Sequence, residues 1–485
     1  MTGTLAQIEK KNPFRIIAGF FKGLFLDIKE GDVFVKLSLL IMGIGFFRRR
    51  QIIKGIIMTV FQFVIIYFAG TFAAHYLARF TTLGYVEFEA VFNPQTMRND
   101  VNDFDHSFTI LLYGVVSILV LAVSLIIYLR NIRNVRALEI RARQGKHIPT
   151  FFEDVKSLRD ERFHVTLLSL PCIGIVLFTI VPLIIMIAVA FTNYDQQNMP
   201  PASLFTWVGF DNFVTLFTDD ITSTFGYAFV RVLTWTLVWA FIATFSNFFL
   251  GVMLASFINN VRTKFKRVWR TMFIIAIAVP QFVTLLLVRN FFATTGIANT
   301  IAANLGITDF LLNIGLIPAH LNHIPFLTHP TWAMVMIILI NIWIGVPFLM
   351  LIATGVLMNI PKELYESARI DGASPIKQYM YITLPYMLFV TAPFLVTQVV
   401  HNINNFNVIY LLTQDVFTTL DQSLANANAR EIDLLVTWLH RLTQEQYDFK
   451  MASVIGIMVF VVCAVFTLIA FNLVINRNKE DKFQL

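Results

Sequence analysis

Asn359-Ile-Pro-Lys-Glu-Leu-Tyr-Glu-Ser-Ala-Arg-Ile-Asp-Gly-Ala-Ser-Pro-Ile-Lys-Gln-Tyr-Met-Tyr-Ile-Thr-Leu-Pro385 is a polar island between two long apolar runs. Its residue types predict two short helices meeting at a glycine. Pro361 suits a first helical position, because its fixed φ is already helical and its missing N–H needs no partner there. Glu363 and Glu366 follow near the positive end of the helix dipole, where carboxylates are favoured. Gly372 can take the left-handed conformation that closes a helix, and Ser374-Pro375 supplies a cap and a first turn for the next one. Pro385 marks the bend back into apolar sequence. On these residues alone, the stretch reads as a helical hairpin connecting two membrane spans.

The flanking runs set the class of protein. The chain of 485 residues is 57% hydrophobic and only 14% charged, where a soluble domain carries about a quarter charged residues. The expectation is an all-α membrane protein of about eight transmembrane helices. A span needs about 20 mostly apolar residues. The candidates are 52–75, 107–129, 165–191, 229–257, 271–288, 331–358, 386–411 and 451–475. Val33 to Phe47 is apolar for only fifteen residues and ends in Arg48-Arg49-Arg50, so it reads as a re-entrant or interfacial helix. Met1 to Phe14 is polar and lacks the apolar core of a signal peptide. Cys172 and Cys463 both fall inside apolar runs and read as packed thiols.

The net charge of +7 reflects topology better than nucleic-acid binding, because the basic residues cluster between spans. Segment 130–163 carries nine Lys or Arg, from Arg130 to Arg162, and 258–270 carries Arg262, Lys264, Lys266, Arg267 and Arg270. Segments 192–228 and 290–330 contain none. The positive-inside rule then places both termini, 130–163, 258–270 and 359–385 in the cytoplasm of a plasma-membrane protein.

Chemistry within the spans is neutral. Lys54, Arg231 and Arg289 lie at span ends, and His401 is the one ionisable residue well inside. Ion-coupled carriers keep carboxylates or histidines in mid-membrane, so their scarcity here points to energy supplied by another subunit, with a secondary carrier or channel for a neutral polar solute as the alternative reading. No nucleophile, base or metal constellation lies in the spans, so no catalytic residue, metal or cofactor is expected. His320, His323 and His329 sit in an outside loop near Asp309 and read as loop surface. No Gly-x-x-x-x-Gly-Lys-Ser/Thr phosphate loop occurs. His401-Asn-Ile-Asn-Asn-Phe-Asn407 places four amides in an apolar run, with Asn402 and Asn405 on one helix face. Buried amides of this kind serve either as interhelical glue or as partners for a polar ligand.

The spacing Glu366-Ser367-Ala368, Gly372 and Ile382-Thr383-Leu384-Pro385 resembles the EAA loop of ATP-binding-cassette importer permeases, with Ser367 departing small for small. Asn193-Tyr-Asp and Phe205-Thr-Trp-Val-Gly-Phe-Asp-Asn-Phe213 look like the segment entering that family's six-helix permease core. The resemblance is to the larger permease subunit of maltose and maltodextrin importers, and the absence of an inserted extracellular domain suggests a Gram-positive bacterial type. It implies domains at 1–50, 51–163, 164–476 and 477–485: an N-terminal segment, two leading spans with a basic loop, the core, and a tail. Glu366, Ala368, Asp371 and Gly372 would couple to the ATPase. Implied sugar contacts are Gln281, Asn341, Ile344, Gly345, Phe348, Asn402 and Asn405, with Ile277 at a further lining position. The implied partners are a second permease subunit, two ATPase subunits that hydrolyse ATP, an extracellular sugar-binding protein, an oligosaccharide and the lipid bilayer, with no nucleic acid. Amides match hydroxyls, and a ring such as Phe348 covers the apolar face of a pyranose.

Overall fold

The computed structural model describes residues 13–477 except 96, 219–224 and 261–262. The polar start 1–12, Arg262 and the tail 478–485 lie outside the described residues. Among the described residues, seven helices are long and apolar enough to cross a membrane. The labels used below are α1 (Pro13–Glu30), α2 (Ile52–Arg79), a hairpin of β1 (Ala90–Asn93) and β2 (Arg98–Val101), α3 (Ser107–Arg143) and α4 (Phe163–Val189). They continue with α5 (Phe225–Asn259), α6 (Lys266–Ala278), α7 (Gln281–Phe291), α8 (Pro330–Leu357), α9 (Lys362–Ile370), α10 (375–403), α11 (Phe406–Thr413), α12 (Leu435–Gln444) and α13 (Phe449–Arg477).

The expected span 271–288 is not one helix. It divides into α6 and α7 because Pro280 drives the residue before it out of the helical region, and Val279 is accordingly extended at φ −75, ψ 126. The segment 33–47 likewise forms two short helices, Val33–Leu37 and Ile44–Phe47. Asp32 caps the first by accepting the Val35 N–H at 2.8 Å. Ser38 accepts the Gly45 N–H at 3.0 Å, and this turn presses Val35 and Phe46 against Ile132, Val135 and Leu138 of α3.

Two compact units divide the chain, 1–188 with 192–207, and 189–191 with 208–485. In the first, α1 is held to α3 by ion pairs, Arg133 to Asp27 and Arg136 to Glu30, each at 3.4 Å. The apolar windows of α2 and α4 are each only 6% buried within the chain, so their side chains require lipid or another subunit.

The second unit is built on α5, α8, α10 and α13. One core joins Trp239 and Ala243 of α5, Leu285 of α7, Ile337 and Ile340 of α8, and Val408 and Ile409 of α11. Another joins Phe248 and Val252 of α5 to Leu349 and Met350 of α8 and Met387 of α10. Trp438 of α12 is fully buried, its indole N–H donating to the Ala427 carbonyl at 3.0 Å.

Candidate functional site

Gly345 brings α8 against α5 at close range. A Cβ there would lie 2.2 Å from Asn247 Nδ2, so only glycine admits the asparagine at this crossing. Asn341, one turn earlier on α8, is 6% exposed. Its Nδ2 has no hydrogen-bond partner, and neither has Asn247 Oδ1. Pro347 adds to the local polarity, since its missing N–H removes the helical donor for the Trp343 carbonyl. Ile344 is half-buried against the core, while Trp343 and Phe348 are exposed.

Facing this region, the helix through residues 375–413 is interrupted at Asn404–Asn405. The amides explain the interruption. Asn405 caps α11 by accepting the Val408 N–H at 3.4 Å, an alternative to helix continuation that asparagine favours. Its Nδ2 donates to Asn402 Oδ1 at 3.5 Å. Asn402 Nδ2 donates in turn to Thr244 Oγ1 at 2.9 Å, and the main-chain carbonyl of Asn402 accepts the Trp239 indole N–H at 3.1 Å. Asn402 and Asn405 are therefore buried and bonded within the chain, across a break and not on one continuous helix face. The exposed members of the stretch are His401, Asn404 and Asn407. Gln281, the first residue of α7, is exposed beside the Pro280 break, and Ile277 is half-buried on α6.

Sequence reasoning overlooked Thr244 and Asn247. They stand three apart within Phe241-Ile-Ala-Thr-Phe-Ser-Asn-Phe248, the same spacing that singled out Asn402 and Asn405, and that spacing in an otherwise apolar span was the available signal.

The polar island at 359–385 folds as two helices about Gly372. Pro361 is the cap of α9, one residue ahead of its expected place, with φ −58 and ψ 134. Gly372 sits at φ +72. The Ala373 N–H reaches back to the Ala368 carbonyl at 2.8 Å and the Gly372 N–H to Arg369 at 3.0 Å, the paired bonds of a left-handed glycine cap. Ser374 accepts the Lys377 N–H at 3.3 Å and starts the second helix with Pro375. Tyr365 Oη and Thr383 Oγ1, 2.8 Å apart, tie α9 to the base of α10. Glu366, Asp371 and Gly372 are exposed, and Ala368 is half-buried. Ile370 and Ile376 stand on either side of the glycine at 87% and 76% exposure.

Residues 247–479 match the family described as binding-protein-dependent transport system inner membrane component. Over 424 residues the chain is 34% identical to a galactooligosaccharides transport system permease protein of Bacillus subtilis (strain 168), covering 87% of this chain and 93% of that one. It is 31% identical to a maltodextrin transport system permease protein of the same organism, over 89% of this chain and 93% of the relative. Among solved structures, a bacterial ABC transporter involved in the import of the acidic polysaccharide alginate is similar at a TM-score of 0.50. It is 27% identical, covering 68% of this chain and 99% of that one.

Proposed function

The chain belongs to the family of binding-protein-dependent transport system inner membrane components, and from that premise we propose how it works as the permease subunit of an ATP-driven importer of neutral oligosaccharides. It moves substrate by alternating access. It pairs with a second permease subunit, receives sugar from an extracellular binding protein and draws its energy from two separate ATPase subunits. The observation that carries this reading is the exposed two-helix loop at 359–385, closed by a left-handed Gly372 and bearing Ile370 and Ile376. Glu366, Ala368, Asp371 and Gly372 form its coupling face toward the ATPase. Charge asymmetry supports a cytoplasmic position for the loop and for both termini. Residues 164–476 act as the permease core, preceded by the two leading spans of 51–163.

The sugar contacts are Gln281, Asn341, Ile344, Gly345, Phe348, Asn402 and Asn405. Supporting this are the unpartnered buried donor of Asn341 and the exposed Phe348 ring on the same helix. Asn402 and Asn405 meet the sugar in the state where the break at 404–405 opens. His401 is the one ionisable side chain within α10 and α11 after the loop, which suits an uncharged ligand.

Maltodextrin is the substrate this reading puts first, on the pattern of amides and aromatic ring. Galactooligosaccharide is the second reading, favoured by the 34% identity to that permease. Reconstituted complexes supplied with binding protein and each sugar separate them by ATP-dependent uptake. Uptake of neither, with a charged oligosaccharide carried instead, refutes the neutral-site assignment.

A further inference from the structure

We propose that the N-terminal unit holds a binding site for a phosphate ester that carries a neighbouring hydroxyl. Between the junction at residues 48–51, which precedes α2, and the C-terminal end of α3 with the segment 148–150 lies a cavity of about 560 Å³. Arg48, Arg49, Arg50 and Gln51 line it from the junction, and Glu139 and Arg143 line it from α3. Asp32 supplies a second carboxylate, so four guanidiniums face two acids. Arg49 is committed to Asp32 at 3.1 Å and to the Gly45 carbonyl at 2.7 Å, and Arg143 is paired with Glu139. Arg48 and Arg50 have no carboxylate partner among the described residues. Arg48 lies 5.5 Å over the Phe34 ring. Arg50 is held at φ +58, a conformation that residues other than glycine adopt rarely. Two arginines at one cavity without a carboxylate partner favour an anion with several acceptor oxygens, such as a phosphate.

Gln51 narrows the chemistry. It is 2% exposed, and its Nε2 donates to the Pro149 carbonyl, which fixes the amide's orientation. Its Oε1 is buried and has no partner. An acceptor in that position calls for a donor on the ligand. An ammonium would be repelled by the surrounding arginines, whereas a hydroxyl is not. The site therefore fits a phosphate with a polyol arm.

Two sources present that chemistry: the glycerol headgroup of an anionic lipid and a soluble glycerol phosphate. The cavity stands at the start of the first span, with exposed Ile52 and Ile53 next along the chain and Leu40 and Ile41 exposed nearby in sequence. This surround accommodates acyl chains.

The test uses the full-length chain in its assembled complex, in phosphatidylcholine nanodiscs. A minor fraction of phosphatidylglycerol or of phosphatidylethanol is added, diesters of equal charge that differ in headgroup hydroxyls. Mass spectrometry of retained lipid should show phosphatidylglycerol held in preference to phosphatidylethanol. Arg48→Gln with Arg50→Gln should lower its retention roughly tenfold, and Gln51→Leu should erase the preference between the two lipids. In a parallel arm, glycerol 3-phosphate is added to nanodiscs of phosphatidylcholine alone. Thermal stabilisation that disappears in the double arginine variant, without lipid retention, assigns the site to a soluble ligand. Equal retention of both lipids by the unaltered protein together with no effect of glycerol 3-phosphate overturns the site. So does retention, or stabilisation, that the double variant leaves unchanged.

Discussion

Gly345 and Asn247 occupy a space that admits only one of them with a side chain. A methyl group at 345 must displace the Asn247 amide from a contact of 2.2 Å, and forced insertions of this kind cost about 1–3 kcal/mol. Gly345→Ala should lower the melting temperature of the assembled protein, and Asn247→Ala should remove most of that penalty when the two are combined. Strictly additive effects in this cycle would mean that the two residues do not press on each other. Asn402 and Asn405 present a different case, since their side-chain amides already have partners in Thr244, Val408 and each other. Replacing either by Ala removes a bond worth about 1–1.5 kcal/mol, which is about tenfold in transport if the amide also meets the sugar. Transport assays beside copurification of the complex distinguish the roles. Normal transport, or loss of assembly, leaves the amides as interhelical glue.

At the scale of the element, α9 and its glycine closure yield a sharper expectation. Gly372→Val places a β-branched side chain at φ +72, costing about 1–2 kcal/mol of local strain. The spans should stay inserted while sugar-stimulated ATP hydrolysis falls. Glu366→Lys should act alike, by losing a carboxylate from the coupling face. If stimulation survives in both variants, the loop is a connector and coupling runs elsewhere. This hairpin was legible in sequence because its chemistry is local: Ser374 caps within three residues and Gly372 closes within five. The break at 404–405 was not legible. Asn402 and Asn405 fit one helical face by spacing; the cap that Asn405 gives Val408 is local, but the bonds that fix Asn402 beside it come from Thr244 and Trp239, more than 150 residues away in the chain. The split of 271–288 lay between these cases, since Pro280 was visible but sat in an apolar run that also fits a kinked span.

For the whole molecule, the charge pattern makes one prediction that can be checked without any partner. A cysteine at Asn313 should react with an impermeant reagent from outside intact cells, and one at Gly145 should not. The reverse pattern inverts the topology and moves 359–385 away from any intracellular ATPase. The nearly bare windows of α2 and α4, each 6% buried, mark where a second subunit or lipid must complete the fold. One further consequence lies in α10. Residues 375–403 run as one continuous helical segment, with a π turn at Tyr379–Thr383 and Pro393 inside it, from the second half of the polar loop to the amide break, about 43 Å at 1.5 Å per residue. A rod of that length acts as a lever. Tilting its loop end by about 5° swings the far end through about 4 Å, more than the reach of a hydrogen bond. Under the proposed coupling, a small stroke from nucleotide closure would be geared up into the making or breaking of contacts at Asn402 and Asn405, with no chain of intervening side chains required to relay it.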